Sequence, residues 1–372
     1  MIRIRKALYG LVTSARQWSL ALGDVLRDTG FTPSRVDPDL WICLDEINNC
    51  YNYIATHVDD LIIVSKNPEK YIDSMKKHFP LRHVEENPDF YLGNNMTTRE
   101  DSTVKVSLEK YIKEVIRKFE ADNGEIKKEN VPYSPGDHPE MDNSPRLNEE
   151  GIKEFQSIIG ICQWISVAGR MDITFVISSL SRFSSAPRER QLKKAIKILG
   201  YLKKYYKKGY VIDPGLCNVN VKYIEIIPDF GNQYDNPVEE IDPKLPKSRI
   251  KELDITIFVD SNHGHNRMTG KSITGIIIFI GRTPIHYYSK RKSLVQTSTF
   301  GAEFIAMKSA VEEAITIRYY LISMGVKVEK ATVIYSDNLN AIRNTMNPES
   351  PLKKKYSALA YHFVVNIITQ VW

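Results

Sequence analysis

From residue 253 onward, apolar runs and polar breaks alternate in an order that few folds can satisfy. "ITIFVD", "SITGIIIFIG" and "PIHYYSK" are short runs rich in β-branched and aromatic residues, and each reads as a strand. A helix from about 298 to 324 follows, then the strand "ATVIYSD" and the helix "NLNAIRNTM". Three strands, a helix, a strand and a helix predict an α/β layer domain.

Three acids stand at telling points of that order. Asp260 closes the first strand, Glu303 lies in the first turns of the long helix, and Asp337 closes the fourth strand. Carboxylates at the carboxyl ends of neighbouring strands can converge with one from a crossing helix. Such a cluster does not stay ionised without cations, because like charges a few ångströms apart repel strongly. Two Mg²⁺ ions among them would suit phosphodiester hydrolysis. Each acid also has an ordinary reading. Asp337 could cap a helix, Glu303 could complement a helix dipole, and Asp260 could start a turn.

Upstream, helix and strand are mixed. Trp18, Leu22, Val25 and Leu26 share one face of a helix that Gly30 stops. The stretch 39–65 reads as strand, turn at Asn48-Asn49, strand and hairpin. "DSMKKHF" predicts a helix, "DFYLGNNMTT" one strand around Gly93, and Ser107 an N-cap ahead of Leu108, Ile112, Val115, Ile116 and Phe119. The proline-rich, polar stretch 121–147 reads as a surface connection. Residues 151–206 read as three helical pieces broken near Gly169 and Pro187. Prolines and acids over 213–251 mark a linker.

The hairpin carries a puzzle, because "YIATHVDDLIIVS" sets Asp59 and Asp60 among strand formers. Two charges beside apolar flanks are costly unless paired or bound to a cation. They are either a polar hairpin turn or carboxylates presented to a hard metal ion such as Mg²⁺. A second charge feature is "RERQLKKAIKILGYLKKYYKK" over 188–208, with nine basic residues against the single acid Glu189. Ile196, Leu199, Tyr201 and Leu202 recur near helical spacing, so one face can pack while another stays cationic. That run is either a solvated helix face or a surface that tracks phosphates.

Bulk properties narrow the class. A chain of 372 residues with 42% hydrophobic and 26% charged residues is long enough for two or three globular domains. No apolar run reaches the length of a membrane span, and the start "MIRIRKALYG" lacks the apolar core of a signal peptide. The four cysteines form no CxxC pair, which argues against a zinc ribbon or disulfide scaffold. A reducing compartment is expected, cytoplasmic or nuclear.

Segments along the whole chain then resemble one family. "KALYGLVTSARQW", "GFTPSRVDPDLW", "HVDDLIIVS", "YLGNNM", "VSLEKYI", "FQSIIGICQWISVAGRMDI", "SSLSRF", "FVDSNHGHNRMTGKSITGIIIFIG", "YYSKRKSLVQTSTFGAEFIA", "YSDNLNAI" and "YHFV" are similar, in order and spacing, to the reverse transcriptase and RNase H region of copia-type LTR retrotransposon polyproteins. The resemblance implies an α/β fold. It would comprise an α+β palm remnant (1–105), a helical thumb and connection (106–212), a linker (213–252) and an RNase H-like domain (253–372). It implies that Asp59 and Asp60 are the paired palm aspartates, and that Asp260, Glu303 and Asp337 are acidic ligands of the nuclease. All five would be catalytic and hold Mg²⁺ or Mn²⁺. Tyr9, Gly10, Arg16 and Gln17 fall in the palm element near nucleotide and template. Arg188, Arg190, Lys193, Lys194, Lys203 and Lys204 fall where thumb and connection meet primer–template. Implied partners are RNA–DNA hybrid, primer–template and other retroelement polyprotein products, with no membrane.

The departures qualify these expectations. The palm's further aspartate, expected before the "LYGL" segment, has no place ahead of Gly10, and the fingers are missing. Val12, Thr13 and Ala15 replace a polar pair and a proline, and His57 replaces a tyrosine. Asn262 and His263 replace an acid and an aromatic, and Ala358 stands where the last nuclease acid should fall. Together these imply a truncated or degenerate copy, with no independent polymerase activity and at most weak nuclease activity. The alternatives are a non-enzymatic nucleic-acid-binding relic or a chain with no selected role.

Overall fold

The computed structural model describes residues 11–217 and 241–346, together with Val364. They fall into two compact units. The first comprises Met1–Asn87, Glu240–Leu253 and Ile315–Glu329, and the second comprises Pro88–Glu239, Asp254–Ala314 and Lys330–Trp372.

In the first unit the 3.6-residue spacing of apolar side chains produces helix α1 (Val12–Asp28). It ends in a double turn of hydrogen bonds: Gly30 N–H to Arg27 O and Phe31 N–H to Leu26 O, with Gly30 at φ 91°. Only glycine enters that left-handed conformation without steric cost, so Gly30 stops the helix. Strands β1 (Thr32–Pro33), β2 (Leu40–Asp45), β3 (Cys50–His57) and β4 (Asp60–Val64) form an antiparallel sheet in chain order. Asn49 at φ 51° makes the expected turn between β2 and β3, where Asp45 accepts the Asn48 N–H. Helix α2 (Glu69–Lys76) starts earlier than its sequence pattern predicts, and it buries Tyr71, Ile72 and Met75. Leu22, Val25, Leu26, Phe31, Trp41, Ile54, Tyr71 and Met75 form the core of this unit.

The second unit opens with a correction. Around Gly93 there are two strands, β5 (Phe90–Tyr91) and β6 (Asn94–Thr98), because Leu92 (φ 47°) and Gly93 (φ 80°) turn the chain back. β7 (Val104–Ser107) follows, so Ser107 ends a strand; Leu108 takes the cap position of α3 (Glu109–Asn123) without a side-chain hydrogen bond. Pairing of β7 between β6 and a later strand claimed Ser107, an influence outside the local helix pattern.

The three helical pieces appear as α4 (Glu149–Val167), α5 (Thr174–Leu180) and α6 (Glu189–Lys204). β8 (Gly209–Ile212) then pairs with β7, completing the order β5-β6-β7-β8. A Cβ at Gly209 would lie 2.0 Å from the Val106 carbonyl oxygen, so only glycine fits that crossing. Leu108, Ile112, Phe155, Ile158, Ile165, Ile177, Ile198 and Leu202 lie in the core beneath the helices. The proline-rich stretch has one regular element, a 3₁₀ turn at Pro139–Met141. It is anchored as well as exposed. Ile126, Pro139 and Ser144 are buried, and Glu129 N–H bonds to Gly200 O on α6.

The α/β order read from residue 253 onward is present. β9 (Ile255–Asn262), β10 (Ile273–Ile280) and β11 (Thr283–Arg291) pair antiparallel. Helix α7 (Thr299–Ser323) then carries the chain to β12 (Val333–Tyr335), which lies parallel to β9. A parallel return needs such a crossover. The sheet order is β11-β10-β9-β12, and α8 (Leu339–Met346) follows. Most of the expected linker, 218–240, lies outside the described residues. No described helix is long and apolar enough to cross a membrane.

Candidate metal centre

Strand register brings two of the predicted acids together. Tyr335 pairs with Phe258 in the parallel β9–β12 ladder, and their rings stack at 5.1 Å. Asp260 and Asp337 each follow two residues later. Because side chains alternate faces with period two, Asp260 emerges on the face of that stacked pair, and Asp337 lies just past the end of β12 at the same carboxyl edge of the sheet. Glu303 comes from the start of α7, on the stripe that continues through Ala306, Met307 and Ala310, all buried. The small residues of that stripe let the helix lie close to its neighbours.

Oxygen atoms of Asp260, Glu303 and Asp337 lie within 4.8 Å of one another, with Glu303 buried and both aspartates exposed. The sequence argument for convergence is therefore met geometrically. Burial pushes the Glu303 carboxyl up to about 7, and the charges of Asp260 and Asp337 push in the same direction. The Ser261 backbone N–H, hydrogen-bonded to Glu303, opposes the rise. Sequence reading missed this donor. Its only sign is that Ser261 directly follows Asp260. A buried acid with two further carboxylates within 4.8 Å is a site of repulsion, and a cation would relieve it. The donor set is all carboxylate oxygen, which suits a hard divalent ion such as Mg²⁺ or Mn²⁺.

The other predicted acids sit differently. Asp60 begins β4 opposite His57, and Val58-Asp59 form the two-residue turn. Val58 holds φ 57°, an outlier for a β-branched residue. The Trp18 indole N–H, from α1, donates to the Val58 carbonyl and helps hold the turn. Asp59 and Asp60 are both exposed, as are Arg16 and Gln17 on α1. Among the described residues, the aspartate pair joins no third metal-ligating side chain. Tyr9 and Gly10, and the position of Ala358, lie outside the described residues.

The basic run divides on α6. Lys194 pairs with Asp137; Lys203 pairs with Glu120 at 2.7 Å and donates to Ile126 O at 3.0 Å. Arg188 donates to Ser144 O, and Lys204 to Asn130 Oδ1. These four hold the proline-rich stretch and the end of α3 against α6. Arg190 and Lys193 are exposed, as are Lys207 and Lys208 just beyond the helix. A nucleic-acid surface here would rest on these residues.

Residues 1–132 match the family described as reverse transcriptase (RNA-dependent DNA polymerase). Over 367 residues the chain is 24% identical to the retrovirus-related Pol polyprotein from transposon RE1 of Arabidopsis thaliana, covering 98% of this chain and 22% of that protein. It is 24% identical over 379 residues to the Pol polyprotein from transposon TNT 1-94 of Nicotiana tabacum, covering 98% and 25%. It is also 24% identical over 325 residues to the transposon Ty1-GR2 Gag-Pol polyprotein of Saccharomyces cerevisiae, covering 84% and 16%. The chain thus spans a quarter or less of these relatives' lengths. No solved structure matches the chain at a significant level. The reverse transcriptase match is thus confined to residues 1–132, while similarity to these Pol polyproteins extends over nearly the whole chain.

Proposed function

We propose that this chain acts on RNA–DNA hybrid as a retroelement-type protein with weak, metal-dependent RNase H activity and without primer extension of its own. The observation that carries the reading is the convergence of Asp260, Glu303 and Asp337 within 4.8 Å. These residues would hold Mg²⁺ or Mn²⁺. When bound, the cation supplies charge neutralisation and a water of lowered pKa for phosphodiester hydrolysis. Asp260 and Asp337 are exposed, whereas Glu303 is buried, so in this reading the two aspartates would be the ones to meet an approaching phosphodiester backbone. Glu303 accepts the Ser261 N–H, and its carboxylate would help to hold the cation.

Polymerisation is argued down by Asp59 and Asp60, which among the described residues have no third carboxylate within reach. Phosphoryl transfer depends on electrostatic stabilisation by correctly held ions, so an incomplete set costs much of the rate. The division into palm remnant (1–105), thumb and connection (106–212), linker (213–252) and RNase H-like domain (253–372) is part of the same proposal. So is association with nucleic acid through Arg190 and Lys193.

The test is cleavage of a labelled RNA–DNA hybrid by the purified chain in Mg²⁺ or Mn²⁺. Slow cleavage that disappears in Asp260→Asn and in Asp337→Asn is expected. Absence of cleavage in both metals, or cleavage that survives either substitution, would overturn the nuclease assignment. Hybrid binding without cleavage would leave a binding protein.

A further inference from the structure

Asn262, the last residue of β9, and the loop His263-Gly264-His265 that follows share a cavity of about 300 Å³ with Tyr133, Gly136, Asp137 and His138, just ahead of the 3₁₀ turn at Pro139–Met141. Both His138 and His265 line that cavity, together with Tyr133, Asp137 and His263. The two rings stand 5.5 Å apart between centres, with an interplanar angle of 37°. Each ring is held at its Nδ1 edge. His138 Nδ1 lies 3.1 Å from Glu140 Oε1, and His265 Nδ1 lies 3.0 Å from the Asn262 side-chain amide. Glu140 Oε1 is itself fixed by the Arg267 backbone N–H at 3.0 Å. His265 Nε2 is buried and has no hydrogen-bond partner.

We propose that His138 and His265 form a binding site for a borderline-soft divalent cation such as Zn²⁺, distinct from the carboxylate cluster. Metal-bound histidines characteristically present one ring nitrogen to the ion and give the other N–H to a carboxylate or amide oxygen. His138 with Glu140 has that arrangement, and His265 has it when the Asn262 amide turns its oxygen to Nδ1. The two amide orientations fill the same space. Two imidazoles bound to one tetrahedral zinc, each at about 2.0–2.1 Å, have ring centres roughly 5 Å apart. The observed spacing is close to that. Burial lowers the proton affinity of His265 and keeps its lone pair available at neutral pH.

Arg182 opposes a cation, and its Nη1 and Nη2 are buried without partners. Its guanidinium is not part of the cavity wall. Arg267 is the one cationic residue in the lining, and it is exposed, so its head is open to water at the cavity's edge. Glu140 and Asp137 add negative charge beside the rings. With two protein ligands and the remaining positions left to water, binding is weak, and selective for Zn²⁺, Co²⁺ or Ni²⁺ over Mg²⁺ because imidazole is the softer donor. A bound ion would clasp the 133–140 segment to the loop that follows Asp260.

The experiment uses the full chain carrying Asp260→Asn, Glu303→Gln and Asp337→Asn, so that the acidic cluster cannot report. After chelator treatment, Co²⁺ is titrated with visible absorption as the readout, and Zn²⁺ by calorimetry and by thermal melting. A one-to-one complex with ligand-field bands, displaced by Zn²⁺, is expected. His138→Gln and His265→Gln should each weaken it at least tenfold and abolish the Zn²⁺-dependent rise in melting temperature. Their melting temperatures in chelator should match the parent, which separates lost binding from lost folding. Binding that is unchanged in the double His→Gln variant, or no binding at all, would overturn the proposal. So would inorganic phosphate stabilising the chain where Zn²⁺ does not.

Discussion

Replacing Glu303 with glutamine should stabilise the metal-free protein at alkaline pH while removing its response to metal. Glu303 is 5% exposed, and its carboxyl is raised from 4.5 to about 7. A folded-state pKa above the unfolded value means that the folded protein binds the extra proton between these two pH values. Stability is therefore complete below about pH 4.5, declines as pH rises, and reaches its full deficit above about pH 7. At 1.36 kcal/mol per unit, a rise from 4.5 to about 7 corresponds to at most ~3 kcal/mol. The aspartates that contribute to it are exposed, so water screens part of the repulsion, and roughly half that figure is the working value. Glutamine carries no charge and can still accept the Ser261 N–H.

At pH 8 in chelator, Glu303→Gln should thus melt about 3–6 °C above the parent, at 2–4 °C per kcal/mol for a unit of this size. At pH 4.5 the two should nearly coincide. Adding Mn²⁺ or Mg²⁺ at pH 8 should raise the parent's melting temperature and leave the variant where it was. The assay is differential scanning fluorimetry across pH, with and without metal. An offset that is the same at pH 4.5 and pH 8, or a variant less stable than the parent at pH 8, would refute the electrostatic argument.

Three further outcomes follow from other parts of the structure. Arg190→Gln with Lys193→Gln should reduce the salt slope of hybrid binding by about two units in a titration between low and moderate salt, at one unit per lost phosphate contact. An unchanged slope would make α6 a solvated face. Arg170, 2% exposed, holds Asp172 through two hydrogen bonds of 2.9 and 2.8 Å and reaches Tyr205 O at 3.0 Å; Arg170→Met should cost about 3 kcal/mol in urea unfolding by leaving Asp172 with the Tyr201 hydroxyl but without its guanidinium. Burial pushes the Asp172 carboxyl up, but Arg170 and the Tyr201 hydroxyl outweigh it and hold the carboxyl below the usual range. Its stabilising contribution is therefore present above about pH 4 and lost as pH falls further, which acid titration of parent and Asp172→Asn would compare.

What the sequence determined by itself was local or periodic. The apolar stripe of α1 and its glycine stop, the Asn48-Asn49 turn, the three helices between 149 and 204 and the strand order after residue 253 all follow from spacings of two or 3.6 residues and from backbone freedom at single positions. The three acids of the candidate metal centre were legible because strand ends and an early helix turn are themselves local features. Their convergence within 4.8 Å depended on the parallel register of β9 and β12, which pairs Phe258 with Tyr335 across 77 residues. Sequence could suggest that register but not set it. Ser107 reads locally as a helix cap, yet β7 takes it because Gly209, a hundred residues later, admits a close strand crossing. The charge of α6 was equally visible, but not its division. Lys194 and Lys203 are spent on Asp137 and Glu120 because the connecting stretch packs along that helix. His138 and His265 lie 127 residues apart, and no local spacing pairs them. Only the fold, by laying the 133–140 segment beside the loop after β9, sets one imidazole before the other.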